Sequence, residues 1–298
     1  MILNEANQDP CLPVKDYPEV HVQVSSPRTY RYAEPGVFIF AGTLRHADQA
    51  TGSRNFYRSD PQWGDDTVVV DDFSTDGTPD VCRKFPNVNV CQNVFKGFQE
   101  QKIYAMNLAK NDWVLKIDAD ERVSFDMRKS IEGLTTTDFE LYSCFEFRRL
   151  TCFWDKWIRY ASFYPDYNPR LFHRRKGEWG GINPHDKFMP TGRTKRLKGD
   201  ILHFQNWNLE TYASRTVLFS HISANEYFKR GRKVSWHHVT LRPLYTFFYR
   251  FVIRLGFIAG WRGFVISVMG AMGTFIKYMK LYELHKGHGR LQCTDDVK

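Results

Sequence analysis

The fold of this chain is decided by a stretch that reads TVVVDDFSTDGT at residues 67–78 and WVLKIDADE at residues 113–121. Each half is a largely apolar run that ends in carboxylates, which is typical of a buried strand followed by a polar turn. The residues between them predict helices over Pro79–Phe85 and Gln99–Lys110, with a short strand over Val88–Cys91. This order predicts an α/β fold with a mostly parallel central sheet. Ligands of such sheets bind beyond the carboxyl ends of the strands, so the two acidic turns mark the expected site.

Composition and charge narrow the class of protein. The chain has 298 residues, of which 42% are hydrophobic and 25% charged, as is ordinary for a globular protein. Its net charge of +9 predicts an anionic partner, and charge alone leaves open a nucleotide diphosphate, an anionic membrane surface or nucleic acid. Because the sequence has no RNP-like, helix-turn-helix or zinc-finger pattern, nucleic acid is not expected as a partner.

The cysteines and the N-terminus predict a cytoplasmic protein. The six cysteines are scattered, with no CxxC pair and no histidine at metal-ligand spacing, so reduced thiols are expected. Residues Met1–Pro18 carry polar residues and proline where a signal peptide would need an apolar run.

Three parts are predicted along the chain. Residues 1–32 form an irregular arm, residues 33–235 the α/β catalytic domain, and residues 236–298 an amphipathic helical tail. Two predicted helices within Leu241–Leu284 each have an apolar face and a basic face. The longest uncharged run, Gly263–Ile276, is shorter than the roughly 20 apolar residues that cross a bilayer, so the tail is expected to lie at an anionic membrane surface. The basic residues of these helices are Arg242, Arg250, Arg254, Lys277 and Lys280.

Further elements are predicted between the acidic turns and the tail. Alternation of apolar and polar residues predicts strands over Phe139–Leu150 and over Lys198–Phe204, the second of which contains His203. Gly177–Gly181 predicts a glycine-rich bend, and Leu209–Arg230 predicts a helix with basic residues near its C-terminal end.

The second acidic turn has the chemistry of a cation site. Asp118 and Asp120 are separated by one residue, so in an extended turn both carboxylates can face one hard cation that also bridges two phosphate oxygens of a ligand. Lys102 lies on the helix between the two acidic turns.

With these residues in place, the chain resembles a known family. The resemblance rests on Val68–Thr78, Gly97-Phe98 with Gln101-Lys102, Trp113–Ser124, Pro169–Phe172, Gly180-Gly181, His185-Asp186, Leu202-His203 and the basic, aromatic tail. Together they are similar to the family 2 inverting glycosyltransferases, whose catalytic domain is the nucleotide-diphosphosugar-binding α/β sandwich called GT-A. Within that family the chain looks most like the lipopolysaccharide core β-glucosyltransferases. The resemblance covers roughly Thr67–Leu284.

The resemblance implies a role for each matching residue. Asp71 or Asp72 would contact the base or ribose of the nucleotide. The set implied in binding the nucleotide sugar is Asp71, Asp72, Lys102, Asp118, Ala119 and Asp120. Asp118, Asp120 and His203 would hold a divalent cation, Mg²⁺ or Mn²⁺, and Asp186 would be the general base. Inverting transfer needs such a base, because a carboxylate opposite the leaving diphosphate must take the proton of the acceptor hydroxyl.

The function that this resemblance implies is transfer of a sugar, expected to be glucose, from a nucleotide-diphosphate donor, with a UDP-sugar favoured. The acceptor would be a lipopolysaccharide-core or other membrane-held, lipid-linked glycan. The enzyme would be peripheral on the inner face of the cytoplasmic membrane.

Several alternatives stay open on the sequence. Asp72 and Asp76 could be turn or N-cap residues, and His203 a core histidine. Lys102 could be a solvated helix residue, and Asp186 could pair with Arg170 or Lys187.

Other functions and arrangements are also open. The chain could be a non-catalytic basic binder of nucleic acid or membrane. It could also be a sugar nucleotidyltransferase, for which Gly42-Thr43-Leu44-Arg45 is a poor phosphate loop. The tail helices could pack on their own domain or on a second copy. At its start the chain departs from the family, so the opening strand is either Gly36–Gly42 or lies in a rearranged N-terminus.

Overall fold

The computed structural model describes residues 38–43, 67–74, 78–118, 120–182, 185–205 and 208–287, with only the backbone for residues 38–43, 78, 81, 182, 185 and 205. The predicted arm at residues 1–32, the predicted cap Asp76 and the predicted donor contact Ala119 lie outside the described residues.

The described residues form eleven strands, seven α-helices and two short helical turns. The strands are β1 (Phe38–Thr43), β2 (Thr67–Asp71), β3 (Val88–Gln92), β4 (Trp113–Asp118), β5 (Glu121–Val123), β6 (Cys144–Phe153), β7 (Lys156–Ile158), β8 (Tyr167–His173), β9 (Gly177–Ile182), β10 (His185–Pro190) and β11 (Thr194–Gln205). The helices are α1 (Thr78–Cys82), α2 (Phe98–Leu108), α3 (Phe125–Glu132), α4 (Thr136–Leu141), α5 (Leu209–Lys229), α6 (Trp236–Phe248) and α7 (Trp261–Lys286). A π-helical turn (Tyr249–Ile253) and a 3₁₀ turn (Gly256–Ala259) lie between α6 and α7.

The chain divides into two compact units. The first comprises Met1–Trp157, Pro165–Gly180 and Lys187–Gln205. The second comprises Ile158–Tyr164, Gly181–Asp186 and Asn206–Lys298. The helix α5 therefore groups with α6 and α7 by its packing, whereas the predicted boundary falls after residue 235. The three-part division predicted from the sequence stays a prediction.

The main sheet has the strand order β3-β2-β1-β4-β8-β6-β11-β5, with β7 beside β6, and β9 pairs with β10 in a separate ribbon. The predicted α/β class is confirmed, but the sheet is mixed rather than mostly parallel. The pairs β2–β3 and β6–β11 are parallel, whereas β1 is antiparallel to both of its neighbours, and β4–β8, β6–β8 and β5–β11 are antiparallel. Apolar runs indicate burial on both faces of a strand, but they carry no information on strand direction.

Apolar side chains cover both faces of this sheet. Val68, Val70 and Val114 pack with Ala105 and Met106 of α2 in one cluster. On the other side, Met127 and Ile131 of α3 pack with the strand residues Leu115, Ile117, Phe145 and Phe147. Each fully buried side chain of this size contributes roughly 1.5–3 kcal/mol to folding. The central strands are thereby fixed, and the turns at their ends are held in place.

Two predicted elements differ in the structure. Residues Phe139–Leu141 end helix α4 instead of starting a strand, because Thr135 and Asp138 form a capping box in which each side chain accepts from the other's backbone N–H. The predicted glycine-rich bend at Gly177–Gly181 forms most of strand β9.

The second unit is helical, and α6 and α7 pack antiparallel. Thr246 of α6 contacts Thr274 of α7 with a 3.3 Å oxygen–oxygen distance, and Arg242 donates to Tyr278 over 2.9 Å. The 3₁₀ turn approaches α7 closely, since a Cβ on Gly263 would lie 1.8 Å from the Gly256 carbonyl oxygen. Among the described residues, α7 is the one helix long and apolar enough to cross a membrane by length and composition.

Candidate active site

The two acidic turns lie at the same edge of the main sheet. Strand β1 is antiparallel to β2 and to β4, so these two strands run in the same direction. Phe38 of β1 pairs with Val70 on one side and with Asp118 on the other. Two inter-strand spacings separate β2 from β4 by about 10 Å. The predicted meeting of the acidic strand ends at one edge is confirmed.

At the end of β2, Asp71 and Asp72 shape the turn. Asp71 is fully buried, and its Oδ2 accepts from the Ser74 N–H over 3.0 Å and from Gln92 Nε2 over 3.4 Å. Asp72 Oδ1 accepts from the Phe95 N–H over 3.0 Å. Asp71 Oδ1 has no hydrogen-bond partner among the described residues. Buried carboxylate oxygens are normally hydrogen-bonded, so Oδ1 is the acceptor that a ligand could use.

At the end of β4, the Asp118 carboxylate is surrounded by cations. Its Oδ2 accepts from Lys116 Nζ, and Arg170 lies 3.6 Å from the same oxygen. Burial raises the pKa of Asp118, but Lys116, Arg170 and Lys102 outweigh it and hold that pKa well below its usual range. Burial lowers the pKa of Lys116 to about 8, although Asp118 opposes that shift. Asp118 is therefore ionised, and the neighbouring cations of the protein balance its negative charge.

A buried ion pair stabilises this turn. Arg170 of β8 donates to both carboxylate oxygens of Glu121, at 2.7 and 2.6 Å, and both side chains are nearly fully buried. Glu121 Oε2 also accepts from the Asp118 backbone N–H over 3.0 Å. Burial lowers the pKa of Arg170, but the negative charges of Glu121 and Asp118 raise it by more, so the net shift of the pKa is upward. This pair fixes the backbone between Asp118 and Glu121.

The sequence interpretation missed the role of this pair. On the sequence alone, Glu121 either assists Asp118 and Asp120 or merely flanks them, and Asp186 is a candidate partner for Arg170 or Lys187. The available signal was an arginine within the apolar strand Asn168–His173, because a buried cation requires a carboxylate.

Asp120 and His203 form the second half of the site. Asp120 Oδ2 lies 3.2 Å from His203 Nε2, and His203 Nδ1 lies 3.3 Å from Thr151 Oγ1. The register explains this arrangement, because His203 of β11 pairs with Glu121 of β5 and with Thr151 of β6. The Asp120 side chain is 45% exposed and His203 is 10% exposed, so a ligand can reach the carboxylate.

Two of the predicted metal ligands, Asp120 and His203, have a geometry that fits a divalent cation. No group of three or more His, Cys, Asp or Glu side chains that could hold a metal occurs in the described part of the chain. Asp120 and His203 still fit as two protein donors, since donation by Nδ1–H to Thr151 would leave Nε2 free to bind a cation. Lys116 and Arg170 both approach Oδ2 of Asp118, and the role of Asp118 as a metal ligand stays a prediction.

Two other predicted residues are placed as follows. The Lys102 ammonium lies 5.3 Å from the centre of the Trp179 ring and contributes to the lowered pKa of Asp118. It therefore lies beside the acidic turn. Asp186 is half-buried on β10, in the part of the hairpin that belongs to the second unit. The first unit thus brings together Asp118, Asp120 and His203, and the role of Asp186 stays a prediction.

Comparison with known proteins assigns part of this chain to a family. Residues 63–192 match the family described as glycosyl transferase family 2. These matched residues form a glycosyl transferase family 2 domain. The predicted family, enzyme class and GT-A type α/β fold are confirmed. The site described above lies within or directly beside the matched residues.

Relatives of this glycosyltransferase carry consistent names. An uncharacterized glycosyltransferase of Rickettsia prowazekii is 27% identical over 232 residues, covering 74% of this chain and 78% of that protein. The lipopolysaccharide core biosynthesis glycosyltransferase LpsC of Rhizobium meliloti is 24% identical over 240 residues, covering 76% of this chain and 86% of that protein. Superposition on S. aureus TarS 1-349, solved in complex with UDP-GlcNAc, gives a TM-score of 0.36 at 16% identity, covering 76% of this chain and 85% of that chain.

Proposed function

We propose that this glycosyltransferase moves a sugar, with inversion, from a nucleotide-diphosphate donor to a membrane-held, lipid-linked glycan. The observation that carries the proposal is the pairing of Asp120 with His203 at the sheet edge, beside an acidic turn whose other carboxylate is neutralised by Lys116 and Arg170. A UDP-sugar, with glucose as the transferred sugar, is the favoured donor. A lipopolysaccharide-core acceptor is supported by the name of the relative LpsC.

Residues of the first acidic turn and of α2 are proposed to bind the donor. The unpaired Oδ1 of Asp71 would accept a hydrogen bond from the base or ribose, and Asp72 would hold the turn against Phe95. Lys102 would attract the diphosphate, since its ammonium lies near the acidic turn.

Residues of the second acidic turn are proposed to support departure of the nucleotide diphosphate. Asp120 and His203 would hold a Mg²⁺ or Mn²⁺ ion, which supplies positive charge to the leaving diphosphate when bound. Asp118 would act as a fixed counter-charge that keeps Lys116 and Arg170 in position, rather than as a ligand.

The chemical step requires one proton transfer. The acceptor hydroxyl oxygen attacks the anomeric carbon from the face opposite the diphosphate, a new carbon–oxygen bond forms, and the bond to the phosphate oxygen breaks. Asp186 is proposed to take the hydroxyl proton. The products are the extended glycan and the nucleoside diphosphate.

The proposed location is the inner face of the cytoplasmic membrane, with the protein peripheral. Support comes from the exposed apolar side chains of α6 and α7, which a soluble protein surface rarely presents in such numbers. A membrane-held acceptor would be reached most readily from such a position.

The test is turnover of UDP-glucose with a lipopolysaccharide-core acceptor in the presence of Mn²⁺ or Mg²⁺. Asp120→Ala should reduce UDP release by on the order of 10²- to 10³-fold, the usual loss when one group that stabilises transition-state charge is removed. Asp80→Asn is the matched control, because Asp80 is exposed and pairs only with Arg83 among the described contacts. Full turnover by the Asp120 variant would contradict the proposed site. Release of pyrophosphate from UTP and glucose 1-phosphate, with no release of UDP from UDP-glucose, would indicate a nucleotidyltransferase.

A further inference from the structure

The helical unit has an extreme distribution of charge. Between Glu226 and Glu283 the chain contains no Asp or Glu but ten Lys or Arg residues. These cations are Lys229, Arg230, Arg232, Lys233, Arg242, Arg250, Arg254, Arg262, Lys277 and Lys280. Such a segment attracts an anionic surface and repels a second copy of itself.

The same segment exposes two apolar stripes on neighbouring helices. On α6 and the turns that follow it, the exposed apolar residues recur every three or four positions, at Leu241, Leu244, Phe248, Val252 and Leu255. On α7 the exposed residues repeat at spacings of three, four and seven, at Trp261, Phe264, Val268, Phe275 and Tyr282. Each stripe therefore follows one face of its helix from end to end.

The opposite face of α7 is occupied by protein along its length. Near the start of α7, Gly263 packs against the Gly256 carbonyl. In the middle, the Gly273 carbonyl accepts from Ser220 Oγ of α5 over 2.9 Å. Toward the end, Tyr278 and Leu281 are buried with Ala224 of α5.

These contacts bear on whether α7 crosses a membrane. With 26 residues it is about 39 Å long, enough for a hydrocarbon core of about 30 Å. A crossing α7 would also carry Lys277, Lys280 and Glu283 toward or into hydrocarbon, together with Arg242 of α6, which donates to Tyr278. Charged groups at that depth are costly.

We propose that the second unit docks on an anionic phospholipid bilayer with α6 and α7 lying in the plane of one leaflet, so that both ends of α7 stay on the cytoplasmic side. This proposal rests on the membrane location proposed above and specifies its geometry. The exposed stripes of α6 and α7 enter the boundary between headgroups and acyl chains. Exposed cations such as Arg230, Arg232 and Lys233 contact lipid phosphates.

One predicted lipid contact is reassigned by the structure. The Arg250 guanidinium packs against α7, because a Cβ on Gly270 would lie 2.8 Å from it. Burial lowers the pKa of Arg250, and the neighbouring Tyr212 opposes that shift. Arg250 therefore stabilises the helical unit and is not part of the lipid-facing set.

The depth of α7 side chains in the bilayer tests the proposal. The experiment uses a chain in which Ser replaces Cys11, Cys91 and Cys293. An environment-sensitive fluorophore is attached to one new cysteine at a time, in the variants Phe264→Cys, Phe275→Cys and Tyr282→Cys. Each labelled protein is mixed with phosphatidylglycerol–phosphatidylcholine vesicles. Quenching by lipids that carry spin labels at different acyl positions then reports depth. In-plane docking predicts one shallow depth at all three sites. A crossing helix predicts that Phe275 lies deepest, about 16 Å along the helix axis from Phe264.

Controls separate the possible outcomes. Asn225→Cys, on an exposed position of α5, should stay in water in every case. Unequal depths along α7, or resistance of the membrane-bound protein to alkaline carbonate, would overturn in-plane docking. Fluorophores that respond to protein concentration but not to vesicles would show that a second copy covers the stripes, and this would also overturn the proposal.

The outcome is independent of the proposed reaction, because turnover of UDP-glucose is measured separately. Phe248→Ser combined with Phe264→Ser should lower co-sedimentation with these vesicles at least tenfold while far-ultraviolet circular dichroism stays unchanged. Unchanged co-sedimentation by this folded variant would contradict the assigned surface.

Discussion

The two compact units handle charge in opposite ways. In the first, the buried cations Lys116 and Arg170 are matched by Asp118 and Glu121 within a few ångströms. In the second, the stretch between Glu226 and Glu283 holds only cations, and its apolar stripes are exposed. Internally matched charge fixes geometry, as a reaction site requires. Unmatched charge beside apolar surface is suited to an external partner.

The largest expected effect is on the matched side. Arg170→Gln should lower the free energy of unfolding by about 3–5 kcal/mol, because it leaves the buried Glu121 charge without its partner. Arg149→Gln is the control, since its pair with Asp166 is more than one-third exposed and should contribute only about 0–1 kcal/mol. Chemical denaturation measures both variants. Equal losses would show that the buried pair has no special role.

A pair of phenylalanines sharpens the contrast between the units. Phe145 is fully buried among aromatic rings, so Phe145→Ala should cost about 3–5 kcal/mol of unfolding free energy. Phe248 is 50% exposed, so Phe248→Ala should change stability by only about 0.5 kcal/mol. The second variant should instead weaken binding to anionic vesicles. A large loss of stability from Phe248→Ala would indicate that protein, not lipid, covers this stripe.

The acidic strand ends could be predicted from the sequence because their signals are local. Each acidic turn directly follows its own apolar strand, one ending at Asp71 and the other at Asp118, so each strand and turn lie within one short stretch of sequence. The confirmed position of both turns at one edge required only that β2 and β4 run in the same direction. It did not require the direction of β1, which the apolar pattern leaves open.

The partners of the buried charges could not be predicted in the same way. Arg170 and Glu121 are 49 residues apart, and they meet only because β8 lies next to β4 in the sheet. The same limit applies to Arg250, whose position on a helical wheel predicts a place beside anionic lipid but whose guanidinium packs against α7. Helix α4 differs from the predicted strand for a local reason, because the capping box at Thr135 and Asp138 starts a helix where the alternating pattern favours a strand.

A smaller effect is expected from pH. Burial lowers the pKa of Lys116 to about 8, below the roughly 10.4 of an unfolded lysine. Between these values the unfolded chain binds more protons than the folded one, so the stability that this group contributes rises with pH. From pH 7 to pH 9 the gain should be on the order of 1 kcal/mol, and Lys116→Met should abolish it. A wild-type curve that falls over this range as the variant's does would contradict the shifted pKa.

The smallest expected effect is on the unmatched side. Lys233 is exposed, so Lys233→Gln should remove at most about 1 kcal/mol of attraction to anionic vesicles, roughly a fivefold loss of affinity. The difference should vanish at high salt, because screening weakens exposed charges. Arg250→Gln should instead lower stability more than vesicle affinity. The reverse pattern would return Arg250 to the lipid-facing set.

The central claim is that the sheet edge at Asp120 and His203 is the donor site of this glycosyltransferase. Calorimetric titration of UDP into the protein tests it most directly, with Mn²⁺ present and then removed by chelation. The account predicts Mn²⁺-dependent binding by the wild-type protein and by Asp80→Asn, and loss of that dependence in Asp120→Asn and His203→Ala. Equal, Mn²⁺-dependent binding of UDP by all four proteins would contradict it.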